Sequence, residues 1–529
     1  MKMIYNVNDK PKFGQLIVFA FQQLLAIMAA TIAVPMIVGN GMSTSAALFG
    51  AGVGTLVYVL FTKAKSPVFL GSSFAFLGAM FAAFAGAATV GLGYVGLIIG
   101  AVLAGLVYVV ISLIVKLAGV KWINKIMPAV VIGPIVAIIG LSLAGNAISD
   151  LTKVNYTEVV DQSKYTLAVM QDEVTDPETG VITPNGTKTV VLNAEDGGIN
   201  HAYTVNLKDA VDENGNVILD DDGNPVKDFD NVTTQPGSPY VAIICGLVTL
   251  AVVMLCSVYG KKMSRLIPFI IGILAGYACA TIFYFIGKWT GNAALMVIDY
   301  SALINNFKEI SFSSFIALPD FSFLKAFGSI GELNTTYFST IAVAYIPVAF
   351  VVFAEHIADH KNLSSIIEQD LLEEPGLSRT LLGDGVGSMA GAFFGGCPNT
   401  TYGESIGCVA ITKNASVRTI IVTAFEAIII AFIAPFVAFL STIPSCVMGG
   451  VCIALYGFIA VSGLKMLQKV DLDDNRNLFT ASVILITGVG GFVLTFGKVT
   501  LTTVACALIL GILTNVMLSG KKKKEETAE

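Results

Sequence analysis

Five carboxylate side chains interrupt the long apolar stretches of this sequence: Glu355, Asp359, Asp384, Glu404 and Glu426. A carboxylate at membrane depth costs about 3 kcal/mol unless it faces a cavity or a partner, so each predicts a functional contact. Asp384 stands between two glycines, a pattern that favours a structural role in breaking a helix. Glu426 has no evident partner in the sequence beyond a neighbouring helix.

Glu355 and Asp359 are four residues apart, which places them on one face of a helix, one turn apart. Two carboxylates this close repel each other when both are ionised, so the pair is a candidate for proton coupling near neutral pH. We expect them at the end of an apolar stretch over 338–355. The alternative is that they are only the polar end of that helix, leading into His360 and Lys361.

Glu404 follows the most irregular run of the chain, residues 397–407, which contains a proline, two glycines and a carboxylate between apolar stretches. Non-helical backbone at membrane depth is tolerated only where protein or a cavity satisfies its N–H and C=O groups. The run 67–76 has a similar character, with small polar residues against aromatic ones. We expect a half-helix after each run, with its N-terminal N–H groups directed at a common site. Phe74 and Tyr402 would add flat apolar faces, which suits a small planar molecule with alternating N–H and C=O groups.

The composition determines what surrounds these residues. The chain has 529 residues, of which 55% are hydrophobic and 13% charged, and its mean hydropathy is +0.78. This composition excludes a soluble globular protein and indicates a polytopic membrane protein. The third and tenth of the predicted apolar segments are short and interrupted. The fourteen segments are 14–38, 46–62, 68–88, 90–115, 128–148, 239–258, 266–287, 338–355, 380–396, 398–412, 418–440, 444–463, 478–496 and 499–519.

An internal repeat relates the two halves of the chain. The run 128–135 parallels the run 444–451 seven segments later, and the interrupted third segment corresponds to the interrupted tenth. Because seven is odd, the second copy crosses the membrane in the opposite direction. Interrupted segments at corresponding positions of inverted repeats mark the substrate site of a transporter.

Charge predicts the orientation. Connections such as 63–65 and the tail 521–524 are rich in lysine, whereas 39–45, 89–90 and 441–443 have no basic residue, so both termini are predicted to be cytoplasmic. The stretch 150–230 holds 17 acidic and 5 basic residues. Short alternating runs in it predict a small β subdomain outside the membrane, within an insertion at 150–238. The eight cysteines have no metal-ligand spacing and are expected to be packing residues.

Residues 399–404, 71–76 and 354–356 together resemble the nucleobase/ascorbate transporter family, also called nucleobase:cation symporter 2, and most of all its bacterial uracil permeases. The resemblance covers nearly the whole chain apart from 150–238 and a shorter insertion near 300–335. It implies an all-α fold of fourteen transmembrane segments in two inverted repeats of seven, with segments 3 and 10 broken into a short strand and a half-helix.

The family fold is divided into a core domain (segments 1–4 and 8–11) and a gate domain (segments 5–7 and 12–14). In this chain the predicted parts are core 14–116, gate 126–148, the acidic extracellular insertion 150–238, gate 239–288, core 338–440, gate 444–519 and the cytoplasmic tail 520–529.

The resemblance also implies roles for single residues. Glu355 and Glu404 would bind the base, the backbone at Phe74, Tyr402 and Gly403 would complete the site, and Tyr456 would belong to the gate. Two positions depart from the best-known uracil permeases: Asp359 replaces a histidine, and Gln22-Gln23 replaces Gln-His. These departures leave open which group couples the proton and which base is preferred.

We therefore predict a multi-pass symporter of the cytoplasmic membrane that imports uracil with a proton, with Glu355 and Asp359 as the coupling groups. The alternatives are a purine such as xanthine or uric acid as substrate, a small anion as substrate, or coupling to sodium instead of a proton. The predicted partners are the nucleobase, membrane lipid and a second copy of the chain, without cofactor, metal or nucleic acid. An enzyme is not expected, because His201, His356 and His360 lie near no other candidate ligand set in the sequence.

Overall fold

The computed structural model describes residues 3–119, 128–154, 237–261, 263–496 and 499–518, and between 155 and 236 it describes 158–160, 165–175, 182–194, 201–203, 207–209, 217, 227–229 and 232–234. The chain divides into two compact units. The first comprises Met1–Thr152, Ile243–Cys279 and Tyr300–Glu529, and the second comprises Lys153–Ala242 and Ala280–Asp299.

The structure is mostly helical. Its helices are α1 (Phe13–Val38), α2 (Thr44–Phe61), α3 (Leu77–Ala85), α4 (Val90–Ala118), α5 (Ala129–Ser142), α6 (Ala144–Thr152), α7 (Pro239–Tyr259), α8 (Met263–Leu266), α9 (Pro268–Thr290), α10 (Ser301–Lys308), α11 (Ser322–Phe327), α12 (Thr335–Ile367), α13 (Leu377–Gly395), α14 (Gly403–Thr412), α15 (Val417–Ile430), α16 (Ala434–Ser441), α17 (Ser445–Leu467), α18 (Asn475–Val489) and α19 (Thr503–Leu518). Among the described residues, eight helical stretches are long and apolar enough to cross a membrane: α1, α2, α4, α5 with α6, α7, α9, α12 and α17. The architecture is that of a helical membrane protein, as the composition predicted, and the larger count of fourteen segments stays a prediction.

The two interrupted segments pair with each other. Strand β1 (Leu70–Ser72) runs antiparallel to the strand Asn399–Thr401, with Leu70 opposite Thr401. The Ser73 N–H extends the pairing by donating to the Pro398 carbonyl at 2.9 Å. A 3₁₀ turn and α3 follow the first strand, and α14 follows the second. Each segment is therefore a short strand followed by a helix.

Facing glycines bring α2 and α13 together in antiparallel orientation. Gly50 lies against Gly391, and one turn further a Cβ at Gly54 would lie 2.6 Å from the Gly387 carbonyl oxygen. No side chain larger than hydrogen fits between these backbones. Helices α5 and α17 pack in the same antiparallel manner, since a Cβ at Gly133 would lie 3.0 Å from the Gly463 carbonyl oxygen.

Helix α12 is longer than predicted. The apolar stretch was expected to end near residue 355, but the helix continues to Ile367, so Glu355 and Asp359 lie inside it rather than at its end. The continuation is stabilised because several polar side chains of the second half form hydrogen bonds within the protein. His360 Nδ1, for example, lies 2.8 Å from the His356 carbonyl, and the Ser364 hydroxyl donates to the His360 carbonyl at 2.6 Å.

The segment between α9 and α12 is held by a lysine. Lys325 on α11 donates to the Gly41 carbonyl at 2.6 Å, pairs with Asp320 at 2.5 Å, and lies 5.0 Å from the ring centroid of Tyr94. Burial alone lowers the pKa of Lys325, but the hydrogen bonds to Asp320 and Tyr94 raise it above its ordinary value. The cation therefore stays charged and fixes α11 to the α1–α2 turn and to α4.

In the second unit the described residues form short antiparallel strands. They are β2 (Glu158–Val160), β3 (Tyr165–Thr175), β4 (Ile182–Ala194), β5 (His201–Tyr203), β6 (Leu207–Asp209), β7 (Lys227–Phe229) and β8 (Val232–Thr234). β2 pairs with β8, β4 pairs with both β3 and β5, and β6 pairs with β7. In chain order the strand Asn399–Thr401 is β9, and a last antiparallel pair in the first unit is β10 (Leu494–Phe496) with β11 (Val499–Leu501). These strands lie within the predicted insertion 150–238, whose extracellular position stays a prediction, and the connections between them lie outside the described residues apart from Val217.

Candidate functional site

A cavity of about 390 Å³ lies in the first unit between the two interrupted segments and helices α5, α9, α12 and α17. Its polar wall comes from Ser73, Glu355, Asp359, Thr400 and Glu404. Its apolar wall includes Phe74, Val136, Ile139, Phe269, Leu455, Phe458 and Ile459. A concave site with a mainly apolar lining and a few convergent polar groups is typical of small-molecule binding.

The structure brings the residues predicted for the site into this one cavity. Glu355, Asp359, Glu404, Phe74, Tyr402 and Gly403 all line it. Tyr456 does not line it; its ring lies behind the Phe74 ring in a T-shaped contact with centroids 6.1 Å apart. Tyr456 can therefore act on the cavity through Phe74.

The acidic side chains of the cavity have no basic counterpart in its described lining. Glu355, Asp359 and Glu404 are near enough to interact electrostatically, and no lysine or arginine is found among the described residues of the lining. Asp359 accepts a hydrogen bond of 2.7 Å from the Thr401 hydroxyl on β9. Acceptors without a balancing cation favour a ligand that presents N–H groups or carries a proton.

The N-terminus of α14 supplies the donors. Tyr402 occupies the position before the first helical residue, and Glu404 lies in the first turn. The first N–H groups of a helix have no acceptor within the helix and suit carbonyl or anionic ligand atoms. A Cβ at Gly403 would meet nothing within 4 Å, so this part of the backbone is open to the cavity.

The side chain of Tyr402 has a different role from the flat face that was expected. Its ring packs directly against Gly71, the residue is 4% exposed, and its hydroxyl donates to the Ser72 carbonyl at 2.6 Å. The ring thus packs against β1, and the aromatic residues left to face the cavity are Phe74, Phe269 and Phe458.

Gln23 supports the same region from α1. Its amide donates to the Ser405 hydroxyl oxygen at 2.6 Å, and that oxygen also accepts the Phe69 N–H at 3.1 Å. One serine therefore joins α1, the approach to β1 and the start of α14. The polar residues Gln22-Gln23 marked this contact in the sequence, although nothing there indicated the partner.

A buried polar layer behind the cavity was missed. His356 lies 2.7 Å from Asp384 and the rings of His356 and His360 are 4.1 Å apart, contacts that were not predicted from the sequence. His360 in turn contacts the Tyr58 hydroxyl at 2.7 Å. The partners lie on three helices distant in sequence, and the four-residue spacing of the two histidines was the available signal. Across the described chain, no group of three or more His, Cys, Asp or Glu side chains is arranged to hold a metal ion.

A second, larger cavity of about 820 Å³ adjoins the first. Both cavities are lined by Ala358, Asp359, Ser462 and Met466, so they meet along α12 and α17. The larger cavity is also lined by three lysines, Lys361, Lys465 and Lys469. Lys361 lies in α12, Lys465 in the last turn of α17 and Lys469 just after it, and the charge pattern predicts this end of both helices to be cytoplasmic.

Comparison with known proteins gives clear matches over almost the full chain. A family model described as "Permease family" matches residues 14–172 and 234–496. The uracil permease of Bacillus caldolyticus is 34% identical over 528 residues, covering 99% of this chain and 97% of the relative. The uracil permease of Bacillus subtilis (strain 168) is 33% identical, covering 100% and 98%. That of Escherichia coli (strain K12) is 31% identical, covering 96% and 92%.

Solved structures are similar in fold only. The transmembrane domain of the cyanobacterium bicarbonate transporter BicA aligns with a TM-score of 0.53 at 13% identity, covering 97% of this chain and 99% of that domain. SLC26A9 aligns with a TM-score of 0.54 at 11% identity, covering 96% of this chain and 66% of that one. At these identities the likeness supports a helical transporter fold and says nothing of the ligand.

Proposed function

This chain belongs to the permease family, and from that membership we propose that it imports uracil across the cytoplasmic membrane together with a proton. Membership confirms that the protein is a multi-pass membrane transporter and not an enzyme, as predicted from the sequence. Uracil is supported by the relatives named uracil permease. The observation that carries the proposal is the convergence of Glu355, Glu404 and the α14 N-terminus on one cavity of about 390 Å³.

The cavity matches the edge of a pyrimidine base. Uracil alternates C=O and N–H groups around a flat ring, and Glu355 and Glu404 can accept its N–H groups while the first N–H groups of α14 donate to a carbonyl. The Phe74 ring would contact the face of the base. In a water-poor site each unmatched donor or acceptor costs about 1–3 kcal/mol, so an analogue that lacks one N–H should be rejected.

Proton coupling would use Glu355 and Asp359. Both line the base cavity, and Asp359 also lines the larger cavity, so a proton held there has a route toward the side with the lysines. A proton on this pair removes part of the repulsion among the three carboxylates. The proton makes the loaded cavity less negative, which favours binding of a neutral base and a proton together.

The proposed architecture is fourteen segments in two inverted repeats. Three antiparallel pairs support it: α2 with α13, β1 with β9, and α5 with α17. In the predicted count, the members of each pair are seven segments apart. A two-fold relation between inverted repeats produces such pairs.

In this architecture the cavity lies between the core parts, 14–116 and 338–440, and the gate parts, 126–148, 239–288 and 444–519. Tyr456 would then belong to the gate side of Phe74. Both termini and the tail 520–529 would be cytoplasmic, and the insertion 150–238 would lie outside. The larger cavity would be the inner vestibule of an inward-facing state.

The test is uptake of labelled uracil by proteoliposomes with an imposed pH gradient. We expect Glu404→Gln and Glu355→Gln each to lower uptake by at least about tenfold, because an amide replaces one acceptor with a donor. Glu373→Gln, an exposed carboxylate outside the cavity, serves as the matched control and should leave uptake unchanged. Wild-type rates in both cavity variants would contradict the site.

The same vesicles separate the alternatives. Uptake that follows a sodium gradient and ignores the pH gradient would refute proton coupling while leaving the site intact. Competition by unlabelled xanthine or uric acid stronger than that by unlabelled uracil would instead identify a purine carrier.

A further inference from the structure

His356 and Asp384 form a buried pair that the proposed transport cycle does not use. Both side chains are 0% exposed, and His356 Nδ1 lies 2.7 Å from Asp384 Oδ2. The other ring nitrogen, Nε2, lies 3.0 Å from the Thr380 hydroxyl oxygen. His356 follows Glu355 directly on α12, yet it faces α13 instead of the cavity.

The neighbouring groups fix how many protons the pair holds. The Thr380 hydroxyl donates its single proton to the Leu377 carbonyl at 3.1 Å, so its oxygen accepts, and His356 Nε2 carries a hydrogen. One further proton then lies between Nδ1 and Asp384 Oδ2. The pair is neutral overall whichever of the two atoms holds that proton. Asp384 Oδ1 has no hydrogen-bond partner among the described residues, which a neutral pair tolerates better than a lone carboxylate would.

The pair is linked to the cavity through β9. Asp384 Oδ2 also accepts from the Thr400 hydroxyl at 3.4 Å, and Thr400 lines the cavity. The next residue, Thr401, donates to Asp359 at 2.7 Å. Helix α12 therefore holds β9 in two ways, directly through Asp359 and indirectly through His356 and Asp384.

We infer that His356 and Asp384 are a net-neutral positioning pair, which holds β9 and the start of α14 at a fixed distance from Glu355. β9 continues through Tyr402 into Gly403 and Glu404, so a shift of β9 changes the separation of Glu404 from Glu355. The pair would thus set the affinity for the base without touching it. This role rests on the proposed function, whereas the protonation of the pair does not.

The second histidine gives an internal reference for measuring that protonation. His360 Nδ1 faces the His356 carbonyl, which only accepts, so Nδ1 carries the hydrogen and Nε2 accepts from Tyr58. The Tyr58 oxygen in turn accepts from Ser66 at 2.7 Å. His356 should therefore carry a hydrogen on Nε2, whereas His360 should carry one on Nδ1 and none on Nε2.

The first test is nitrogen NMR of the full protein labelled with ¹⁵N-histidine, which is practical because the chain has only 3 histidines. We expect an Nε2–H signal from His356, an Nδ1–H signal from His360, and no change in either between about pH 5.5 and about pH 8. Assignment of the signals uses the variants His356→Gln and His360→Gln.

The other titratable groups around the pair are Glu355, Asp359 and His360 on α12, Tyr108 on α4 and Tyr58 on α2. An Nδ1–H tautomer at His356 with a free Nε2, or ordinary titration of its ring in this range, would refute the neutral pair.

The second test measures uracil binding and thermal unfolding of purified Asp384→Asn. The amide of the variant keeps the shape of the carboxyl group but cannot share a proton with His356. We expect the Kd for uracil to rise about tenfold. In the uptake assay, KM should change more than the maximal rate. Thr400→Val should weaken binding in the same direction, and the double variant should be no weaker than Asp384→Asn alone, because both act through one contact. Ser388→Ala, one turn further along α13, is the control and should bind like wild type.

The outcomes separate the two proposals. If wild type does not bind uracil, the proposed function fails, and the NMR signals still decide the protonation of the pair. Should wild type and Asp384→Asn bind uracil equally well, the positioning role is wrong while the transport proposal stands. Additive losses from Asp384→Asn and Thr400→Val would also refute a route through Thr400. If Asp384→Asn does not fold, Thr400→Val and the NMR signals decide.

Discussion

The two interrupted segments have the same backbone form but different kinds of side chain. Each is a three-residue strand followed by a helix, and the strands pair with each other. The segment with β9 carries Thr400, Thr401 and Glu404, whose side chains bind carboxylates or line the cavity. The segment with β1 contributes an aromatic ring, Phe74, and backbone groups.

The difference extends to how each strand is held. β1 is held by side chains that come to it: Thr55 accepts the Leu70 N–H at 2.9 Å and donates to the Leu70 carbonyl at 3.2 Å, and Tyr402 donates to Ser72. β9 is held by its own threonine hydroxyl groups, which donate to Asp384 and Asp359. The two segments thus have similar backbones, and in the proposed site the segment with β9 recognises the ligand while the segment with β1 supports it. Substitutions of equal size should have unequal consequences in the two segments.

The largest effect is expected from Gly71→Ala in the supporting segment. The added methyl group would collide with the Tyr402 ring, which is enclosed by the protein and cannot move away. Overpacking of this kind costs about 1–3 kcal/mol. We expect a lower melting temperature in detergent and loss of most uracil uptake. Gly78→Ala on α3, where a Cβ meets nothing within 4 Å, is the control and should melt and transport like wild type.

A smaller and more selective effect is expected from Gly403→Ala in the recognising segment. Its methyl group enters open cavity space, so folding is spared while the base loses close approach to the backbone. We expect KM for uracil to rise about tenfold, or about 1.4 kcal/mol, at an unchanged melting temperature. Gly407→Ala, one turn along α14 and equally open, should alter neither quantity. A melting temperature reduced as much as in Gly71→Ala would contradict the division between support and recognition.

The segment with β9 could be predicted from the sequence because its polar residues stand out in an apolar chain. The run 397–407 and the carboxylates Glu355 and Glu404 were visible without any structure, and the predicted stretch 90–115 lies within three residues of the ends of α4 (Val90–Ala118). Periodicity and composition are local properties, and each of these features is local.

What escaped prediction depends on contacts between distant parts of the chain. The end of α12 was placed 12 residues too early because Asp359, His360 and Lys361 read as the polar end of a helix. The partner of Asp359 is Thr401 and that of His360 is Tyr58, and no spacing rule connects either partner to α12. Likewise Asp384 was interpreted as a helix breaker, since its partner His356 lies 28 residues away.

The smallest effect should come from Tyr402→Phe, which removes one of the side-chain hydrogen bonds that link the two segments and leaves the Phe69–Ser405 bond in place. The hydroxyl donates to the Ser72 carbonyl at 2.6 Å, and the ring remains to fill its place against Gly71. Net loss of a buried hydrogen bond costs about 1 kcal/mol, so the melting temperature should fall by a few degrees. Uptake should change by no more than about threefold, because no group facing the base is removed.

Tyr345→Phe is the matched control for that measurement. Tyr345 is also fully buried, but its hydroxyl has no hydrogen-bond partner among the described residues, so its removal should leave stability equal or slightly higher. If Tyr402→Phe were as stable as Tyr345→Phe, the hydrogen bond to Ser72 would contribute nothing to joining the segments. If Tyr402→Phe instead lost uptake as completely as Gly71→Ala, the hydroxyl would belong to recognition, and the supporting segment would no longer differ in role from its symmetry partner.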